Sequence, residues 1–447
     1  MRRPGRELLT NPGRVIVGSF VAAIAVGTAL LSLPVATASG RGAGAVNALF
    51  TATSAVCVTG LITVDTGTYW SGFGQVVILL LIQAGGLGIA TLASLVAVLF
   101  TRRLGLRARQ VAQAETKALT ASDLRRLIRR IVLVSITAEL ITAVILTTRF
   151  ATTYDEAPGR AAYDGVFHAV SAFNNAGFSL NADSLTRYVA DPVVVLTVCL
   201  ATIVGGIGFP VLFELKQRWR HPATWSVLTR ITVPITLALL LLGTLAVLAT
   251  ESRNPATLGA LGPGGKLQAS LFASTMARTT GFNSIDIGAL RPETLFVTDV
   301  LMFIGGGSAG TAGGIKITTF GLLAYVLWAE VRGRPDVEVS RRRVPAANQR
   351  QALTVALLAV GTVVVAVLIL LPLEGLGFDA VLFETISAFA TVGLSTGITA
   401  ALSTPAHLLL TALMLIGRLE PLTLASALAL REGGRPRRLP EQRTIVG

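Results

Sequence analysis

The chain has 447 residues, of which 52% are hydrophobic and 14% are charged, and its formal net charge is +14. Soluble proteins contain roughly 25% charged residues, so this composition excludes an ordinary soluble protein and predicts one embedded in lipid. The positive charge does not indicate a nucleic-acid partner, because the chain offers no soluble fold that could present it.

The distribution of the charge predicts how the chain crosses the membrane. Five segments contain 28 of the 38 Lys and Arg residues but only 7 of the 24 Asp and Glu residues, namely 1–14, 101–130, 216–230, 331–350 and 431–447. Basic segments beside apolar spans mark the cytoplasmic side. We therefore predict a multi-pass protein of the cell inner (cytoplasmic) membrane, with both termini in the cytoplasm.

Each of the four intervals between these segments must cross the membrane an even number of times. The intervals have 80 to 100 residues, whereas two crossings need about 40–50 residues. Each interval therefore has room for a first helix, a re-entrant pore helix with its loop, and a return helix. The predicted fold is an all-α polytopic membrane protein with four parallel helix–pore-loop–helix repeats, eight transmembrane helices in all, around a central pore.

The predicted elements follow one another in the same order in each repeat. The repeats are expected at 13–100, 124–215, 226–330 and 349–431. Predicted first helices span 15–37, 127–149, 227–250 and 350–373. Predicted pore helices span 46–57, 163–174, 266–278 and 378–390, and predicted return helices span 72–100, 191–214, 294–329 and 405–430.

One short phrase recurs in every predicted pore loop. Aligned on one glycine, the copies are Ser54-Ala-Val-Cys-Val-Thr-Gly60-Leu, Ser171-Ala-Phe-Asn-Asn-Ala-Gly177-Phe, Thr275-Met-Ala-Arg-Thr-Thr-Gly281-Phe and Ser387-Ala-Phe-Ala-Thr-Val-Gly393-Leu. A hydroxyl residue always stands six positions before the glycine, and the glycines are 117, 104 and 112 residues apart. Fourfold repetition of a glycine loop in an apolar chain predicts that one polypeptide surrounds a cation path with backbone carbonyls.

The chemistry of these loops favours a monovalent cation. A cation that leaves water needs oxygen ligands, and glycine permits a backbone whose successive carbonyls point inward. The pore helices would aim the negative ends of their dipoles at the same cavity. Thr391-Val392-Gly393 matches the start of the potassium-channel sequence Thr-Val-Gly-Tyr-Gly, and no ring of carboxylates accompanies the glycines. The predicted pore is therefore potassium-channel-like.

A glycine-rich run predicts that the third return helix is broken. Residues 305–314 include six glycines, each of which costs about 1 kcal/mol in a helix relative to alanine. Non-helical backbone at membrane depth survives only inside protein or beside water. A dinucleotide-binding interpretation of Gly305, Gly307 and Gly310 fails, because the flanking segments are halves of a membrane span and not parts of a βαβ unit.

Glycines also recur in the other return helices, 25, 28 and 24 residues after the loop glycines of the first, second and fourth repeats, at Gly85, Gly205 and Gly417. For the first two copies the alternatives are close packing of helices, which small residues permit, and a functional role.

Two arginines of the predicted pore and return helices have charges that need an explanation. Arg418 lies deep in the fourth return helix, where a charge is costly and usually faces a cavity or a partner. The alternative for Arg418 is a structural ion pair with Glu420 or Glu139. Arg278, three residues before the third loop glycine, is interpreted as a brace of that loop, with Glu384 as one candidate partner.

With these motifs the chain resembles the Trk/Ktr/HKT superfamily of potassium transporters, and most closely its Ktr-type membrane subunit. The resemblance implies potassium uptake, with K+ and alternatively Na+ as the ion, and no covalently bound cofactor. It implies a K+ selectivity filter formed by Val58, Thr59, Gly60, Asn175, Ala176, Gly177, Thr279, Thr280, Gly281, Thr391, Val392 and Gly393. It implies an intramembrane gate formed by Gly305, Gly306, Gly307, Gly310, Gly313, Gly314, Lys316 and Arg418.

The resemblance also implies protein partners. Ktr-like subunits form homodimers that sit on a ring of cytosolic nucleotide-binding regulatory proteins. The segments 101–130, 331–350 and 431–447 are too short and too basic to form such a domain within this chain.

The remaining alternatives concern the ion and the class of protein. A less selective Na+/K+ transporter and coupling to Na+ both stay open. A membrane enzyme or an organic-solute transporter would predict paired carboxylates or a histidine cluster in the spans. Because His168, His221 and His407 are scattered along the sequence without metal-ligand spacing, an enzyme is not predicted.

Overall fold

The computed structural model describes residues 12–88, 121–339 and 342–419, and most of them are helical. Four described helices are long and apolar enough to cross a membrane, and they correspond to the first helices of the four predicted repeats. They span Pro12–Leu31, Ala121–Thr153, Val227–Glu251 and Ala346–Glu374. Large apolar side chains such as Leu140, Leu241 and Leu368 are exposed on their outer faces, as expected of helices that face lipid.

The pore helices lie inside this outer layer and span Ala45–Val56, Pro158–Phe173, Pro263–Met276 and Phe378–Phe389. With 12 to 16 residues they are about 18–24 Å long, too short for a hydrocarbon core of about 30 Å. Their last two turns are buried almost completely. They are therefore re-entrant helices whose ends lie within the protein.

The return helices span Gly72–Gly86, Pro192–Gly206, Pro292–Phe303 and Thr404–Leu419. The third is broken as predicted, and it resumes as Ile317–Val331 after the loop formed by residues 304–316, which we call the intramembrane loop. The predicted ends of the first and fourth return helices, at 100 and 430, fall outside the described residues.

The second return helix departs from the prediction of one continuous helix over 191–214. It ends at Gly206 and resumes as Phe209–Arg218, and the two parts are bent by 102°. Gly208, between them, has a left-handed backbone with φ of 99°. Pro210 follows and has no N–H to continue a helical ladder, so it is tolerated only in the first turn of a new helix. The prediction of a continuous second return helix was therefore wrong.

Short elements complete the described chain. One short α-helix spans Thr66–Tyr69, and single helical turns span Pro34–Ala36, Thr186–Tyr188, Pro222–Thr224, Ile287–Ala289 and Thr399–Ala401. Between the third and fourth repeats, Glu338–Val339 pairs antiparallel with Arg342–Arg343. Apart from two isolated bridges, Thr37 with Trp70 and Ile304 with Ile315, this is the one strand pairing within the described residues. The described membrane-crossing elements are therefore all-α, as predicted.

Small residues let the return helices approach the pore helices. A β-carbon added at Gly85, Gly205 or Gly417 would collide with the backbone carbonyl of the residue four positions before the loop glycine of the same repeat. Those carbonyls belong to Val56, Phe173 and Phe389. The glycines of the return helices are thus positions of close helix packing, the first of the two alternatives considered for them.

Candidate functional site

The four loop glycines lie together and form a closed ring. A β-carbon added at Gly60 would collide with the carbonyl of Ala176, the residue before Gly177. The same relation joins Gly177 to the carbonyl of Thr280, Gly281 to that of Val392, and Gly393 to that of Thr59. Each repeat therefore touches the next one, and the fourth touches the first. We call this arrangement the glycine ring.

The backbone of the ring repeats as regularly as its sequence. The glycines have φ between 68° and 95°, a left-handed conformation that glycine adopts without cost. The residues two positions earlier, Val58, Asn175, Thr279 and Thr391, are also left-handed, with φ between 51° and 67°. Left-handed backbone is strained for β-branched residues such as Val58 and Thr391. Backbone strain of this kind is concentrated at functional sites.

The hydroxyl residues of the repeated phrase hold the ring in place. Ser54 Oγ accepts a hydrogen bond from the N–H of Gly60 at 3.0 Å, and Ser387 Oγ accepts one from the N–H of Gly393 at 3.1 Å. The second and third copies differ, because the Ser171 hydroxyl has no partner and the Thr275 hydroxyl donates back to Leu271 O. The repeated spacing therefore has a direct structural role in two of the four repeats.

An open cavity of about 260 Å³ lies against the ring. It is lined by all four glycines and by the residues that follow them, including Phe178, Asn283 and Ser395, and none of its lining residues carries a charged side chain. A cation in this cavity would meet backbone carbonyls, hydroxyls and amides, and no carboxylate.

The intramembrane loop is closed at its base. Gly305 N–H donates to Ile315 O at 2.9 Å, and Ile317 N–H donates to Gly306 O at 2.9 Å. These two bonds join the ends of the broken third return helix. The loop between them is therefore a compact unit and not an extended strand.

The loop also pairs with the break in the second return helix. Gly307 N–H donates to Gly206 O at 2.8 Å, and Phe209 N–H donates to Ala309 O at 3.2 Å. A β-carbon at Gly208 would collide with the carbonyl of Ser308. Each broken helix thus satisfies backbone groups that the other leaves unpaired. Sequence reasoning missed this second break, although the run Gly205-Gly-Ile-Gly-Phe-Pro carried its signal.

The loop lies directly beside the ring residues. The Thr311 hydroxyl donates to Asn175 Oδ1 at 2.7 Å. A β-carbon at Gly313 would collide with the hydroxyl of Thr391. Lys316 donates from Nζ to Ala312 O at 2.8 Å, which ties the end of the loop to its middle. The predicted filter and gate residues are therefore adjacent in space.

Arg418 reaches this loop from the fourth return helix. Its guanidinium donates from Nη1 to Thr311 O and from Nη2 to Gly85 O, the latter at 2.8 Å. Of the partners considered for an ion pair, Glu139 instead accepts hydrogen bonds from Gln83 and Asn174, each at 3.0 Å. Glu420 lies outside the described residues.

Arg278 has different surroundings from those expected. It is buried, and its Nη1 donates to Thr236 O at 3.4 Å in the first helix of its own repeat. Glu384 is buried in the fourth repeat and accepts from the hydroxyl of Thr399. The suggested pairing of Arg278 with Glu384 is therefore wrong, because the two side chains point to different elements.

Known proteins with the same pattern identify the family. The sequence matches the TrkH family, described as "Cation transport protein", over residues 7–432. It is 41% identical to Ktr system potassium uptake protein B of Bacillus subtilis, over 94% of each chain. It is 39% identical to the protein of the same name from Vibrio alginolyticus, over 94% of this chain and 91% of that one.

A further relative and a solved structure agree with this family. The sequence is 34% identical to the potassium/sodium uptake protein NtpJ of Enterococcus hirae, over 96% of this chain and 95% of that one. The crystal structure of the potassium transporter TrkH from Vibrio parahaemolyticus shares the fold, with a TM-score of 0.69 and 19% identity over 92% of this chain and 85% of that one. The chain therefore belongs to the TrkH family of cation transport proteins.

Proposed function

We propose that this protein is the ion-translocating subunit of a potassium uptake system in the cytoplasmic membrane. The observation that carries the proposal is the glycine ring, in which four loops of one chain close around a single axis. Potassium as the ion is supported by the names of the relatives from Bacillus subtilis and Vibrio alginolyticus, which are both potassium uptake proteins.

The ring acts as a selectivity filter. The ligands are the backbone carbonyls of the glycines and of the two residues before each, which replace the hydration shell of the ion. The pore helices end just before these residues, so their dipoles place partial negative charge next to the path. Uncharged lining residues in the adjacent cavity favour a monovalent ion, because a divalent cation normally requires carboxylate ligands.

The intramembrane loop acts as a gate below this filter. Arg418 donates to the loop carbonyl of Thr311 and to Gly85 O, so it connects the loop to the first return helix. A positive charge beside the path also opposes the passage of cations. The loop is closed when these bonds are made, and it opens when they break.

A less selective Na+/K+ transporter is the alternative function. It is supported by the likeness to NtpJ, a potassium/sodium uptake protein. It also has support from the ring itself, since only Thr391-Val392-Gly393 matches the potassium-channel sequence. Coupling of uptake to Na+ is a separate question that the same experiment answers.

Labelled rubidium uptake tests the proposal. The gene is expressed in cells that lack their own potassium uptake, and uptake is measured over a range of K+ concentrations with and without Na+. We expect saturable uptake that K+ inhibits more strongly than Na+. Equal inhibition by both ions would favour the less selective transporter, and the absence of saturable uptake would contradict both functions.

The subunit works with protein partners in this proposal. We infer a homodimer that binds a ring of cytosolic nucleotide-binding regulatory proteins through its basic cytoplasmic segments. The support is the concentration of Lys and Arg in the five basic segments of the sequence, which basic flanks of apolar spans place on the cytoplasmic side.

A further inference from the structure

The side chain of Asn175 bridges the intramembrane loop and the glycine ring. Its Oδ1 accepts a hydrogen bond from the Thr311 hydroxyl at 2.7 Å, and its Nδ2 donates to the Thr280 hydroxyl at 3.0 Å. All three residues are at most 1% exposed. Both bonds are therefore buried, and the orientation of this amide is set by its two neighbours.

Asn175 is also part of the ring backbone. It occupies the left-handed position two residues before Gly177, with φ of 58°, a conformation that asparagine tolerates well. At the equivalent positions of the third and fourth repeats, the hydroxyls of Thr279 and Thr391 have no hydrogen-bond partner. The connection from side chain to loop is therefore a property of the second repeat and not a general feature of the ring.

Thr311 contacts both Arg418 and the glycine ring. Its carbonyl accepts from Arg418, and its hydroxyl donates to Asn175. A hydroxyl has one proton, and the 2.7 Å bond to Asn175 is much shorter than the 3.3 Å approach to Phe173 O. The Arg418 bond and the Asn175 bond therefore hold the same residue of the loop in this position.

We propose that the Thr311–Asn175 hydrogen bond couples the position of the intramembrane loop to the shape of the filter, which makes Thr311 a determinant of ion preference. The proposal rests on the proposed function of the ring as a filter and of the loop as a gate. With the loop closed, Thr311 and Thr280 hold Asn175 between them. With the loop open, Asn175 keeps only its hydrogen bond to Thr280, and the ring segment of the second repeat, which contains Asn175 and Gly177, relaxes. Ion binding in the filter and loop closure are then linked in both directions.

The test compares three loop variants in the same uptake-deficient cells. Thr311→Val removes the hydroxyl and keeps the shape of the side chain, and Thr311→Ser restores the hydroxyl. Ser308→Ala is the matched control, because the Ser308 hydroxyl bonds to Thr318 of the same repeat at 2.6 Å and does not contact the ring. Two concentrations are measured for each variant: the K+ concentration and the Na+ concentration that halve rubidium uptake. Their ratio, the K+/Na+ ratio, reports ion preference.

The expected results separate coupling from simple loosening of the loop. Thr311→Val should change the K+/Na+ ratio by about fivefold, the effect on an equilibrium of losing one buried hydrogen bond. Thr311→Ser should restore the ratio. Ser308→Ala should change the rate of uptake with no change in the ratio. A Thr311→Val protein with a higher rate and an unchanged ratio would overturn the coupling.

A double-mutant cycle supplies an independent measurement on purified protein. Thr280→Val removes the other partner of Asn175, and the shift of the thermal denaturation midpoint with added K+ or Na+ reports ion binding without transport. The effects of Thr280→Val and Thr311→Val on the K+/Na+ preference should be non-additive, because both act through Asn175. Additive effects would contradict the proposal. If wild-type protein showed no K+-dependent shift, the assignment of the filter would fail instead.

Discussion

Each loop glycine is fixed by two separate constraints at the residue scale. Its φ lies in the left-handed region, and a β-carbon would collide with a carbonyl of the neighbouring repeat. A serine would therefore strain its own backbone and displace a proposed ligand of the ion at the same time. Glycine is required here for both reasons.

Replacing Gly60, Gly281 or Gly393 with serine tests the filter. Because left-handed backbone costs an L-residue about 1–2 kcal/mol, we expect the half-saturating K+ concentration for rubidium uptake to rise about tenfold, with less discrimination against Na+. The matched control is Gly375→Ser. Gly375 is left-handed too, with φ of 65°, but a β-carbon there meets nothing within 4 Å. Unchanged competition by K+ and Na+ in all three filter variants would contradict the assignment.

The hydroxyl residues allow a comparison within the repeats. Ser54→Ala and Ser387→Ala each leave the N–H of a ring glycine without its acceptor, which costs about 1–3 kcal/mol for a buried donor. Ser171→Ala removes a hydroxyl that has no partner. We expect the first two changes to lower the denaturation midpoint of purified protein and the third to leave it nearly unchanged. Equal effects of all three would show that the hydroxyls act in another way.

The sequence predicted these residues better than it predicted their contacts. Fourfold recurrence identified the glycines, because a constraint that acts four times leaves four copies of one phrase. The partner of Arg278 could not be identified in this way. Its side chain can reach several elements, and the choice between Thr236 and Glu384 depends on packing between repeats, which a single sequence does not encode locally.

At the scale of elements, two broken helices form one structure. The intramembrane loop of the third repeat pairs with the bend of the second return helix through Gly206, Gly307 and Phe209. The sequence predicted the first break because six glycines in ten residues make a very poor helix. It did not predict the second, because two or three glycines also suit close helix packing, and Gly205 does pack in that way.

Arg418→Ala tests the gate. The variant loses two charge-assisted hydrogen bonds that hold the closed loop, and one such bond contributes about 1.5–3 kcal/mol. We expect the maximal rate of rubidium uptake to rise on the order of tenfold. Arg418→Lys is the control. It keeps the charge but lacks the forked geometry that reaches two carbonyls, so its rate should lie between the other two.

Two other outcomes for Arg418→Ala have distinct meanings. Failure of the protein to accumulate in the membrane would favour a structural role for the arginine. Normal accumulation with a normal maximal rate would show that the loop does not limit ion flow.

Gly208→Ala tests the pairing of the two breaks. Because its φ is 99° and a β-carbon would collide with Ser308 O, alanine should push the loop away from the bend and raise the maximal rate of uptake. Gly159→Ala is the control, since a β-carbon at Gly159 meets nothing within 4 Å. A Gly208→Ala protein that accumulates normally, with a wild-type rate, would mean that the bend does not hold the loop closed.

At the scale of the whole molecule, the four repeats have the same order of elements, but they contribute different residues to the site. The outer helices, pore helices and loop glycines repeat in order around the ring. The third repeat supplies the loop, the second supplies the bend and Asn175, and the fourth supplies Arg418. The regular spacing of the repeats predicted the common plan. It could not predict this division of roles, which depends on contacts between residues 100 or more positions apart.

The basic segment between the third and fourth repeats, on the predicted cytoplasmic side, allows a test of the proposed regulatory partner. Arg334 and Arg342 are exposed on the basic segment between the third and fourth repeats. In liposomes, we expect the purified subunit to take up rubidium slowly and to be stimulated by a cytosolic fraction of its host cells. Arg334→Glu together with Arg342→Glu should abolish that stimulation and leave the uptake by the subunit alone unchanged, because the proposed partner binds through the basic segments and the reversed charges would repel its complementary surface.

The control for this experiment lies in the third repeat, at the end of its first helix that is remote from the basic segments. Arg253 is exposed just beyond the far end of the first helix Val227–Glu251. In the predicted orientation it faces away from a cytosolic partner, and Arg253→Glu changes the net charge without changing the predicted cytoplasmic surface. Stimulation should persist in this variant and should weaken as salt is added, since exposed charges are screened within about 10 Å at 0.1 M salt. Full uptake by the subunit alone, indifferent to the cytosolic fraction, would contradict the need for a partner. Equal loss of stimulation with Arg253→Glu would show that the overall charge, and not the basic cytoplasmic segment, is responsible.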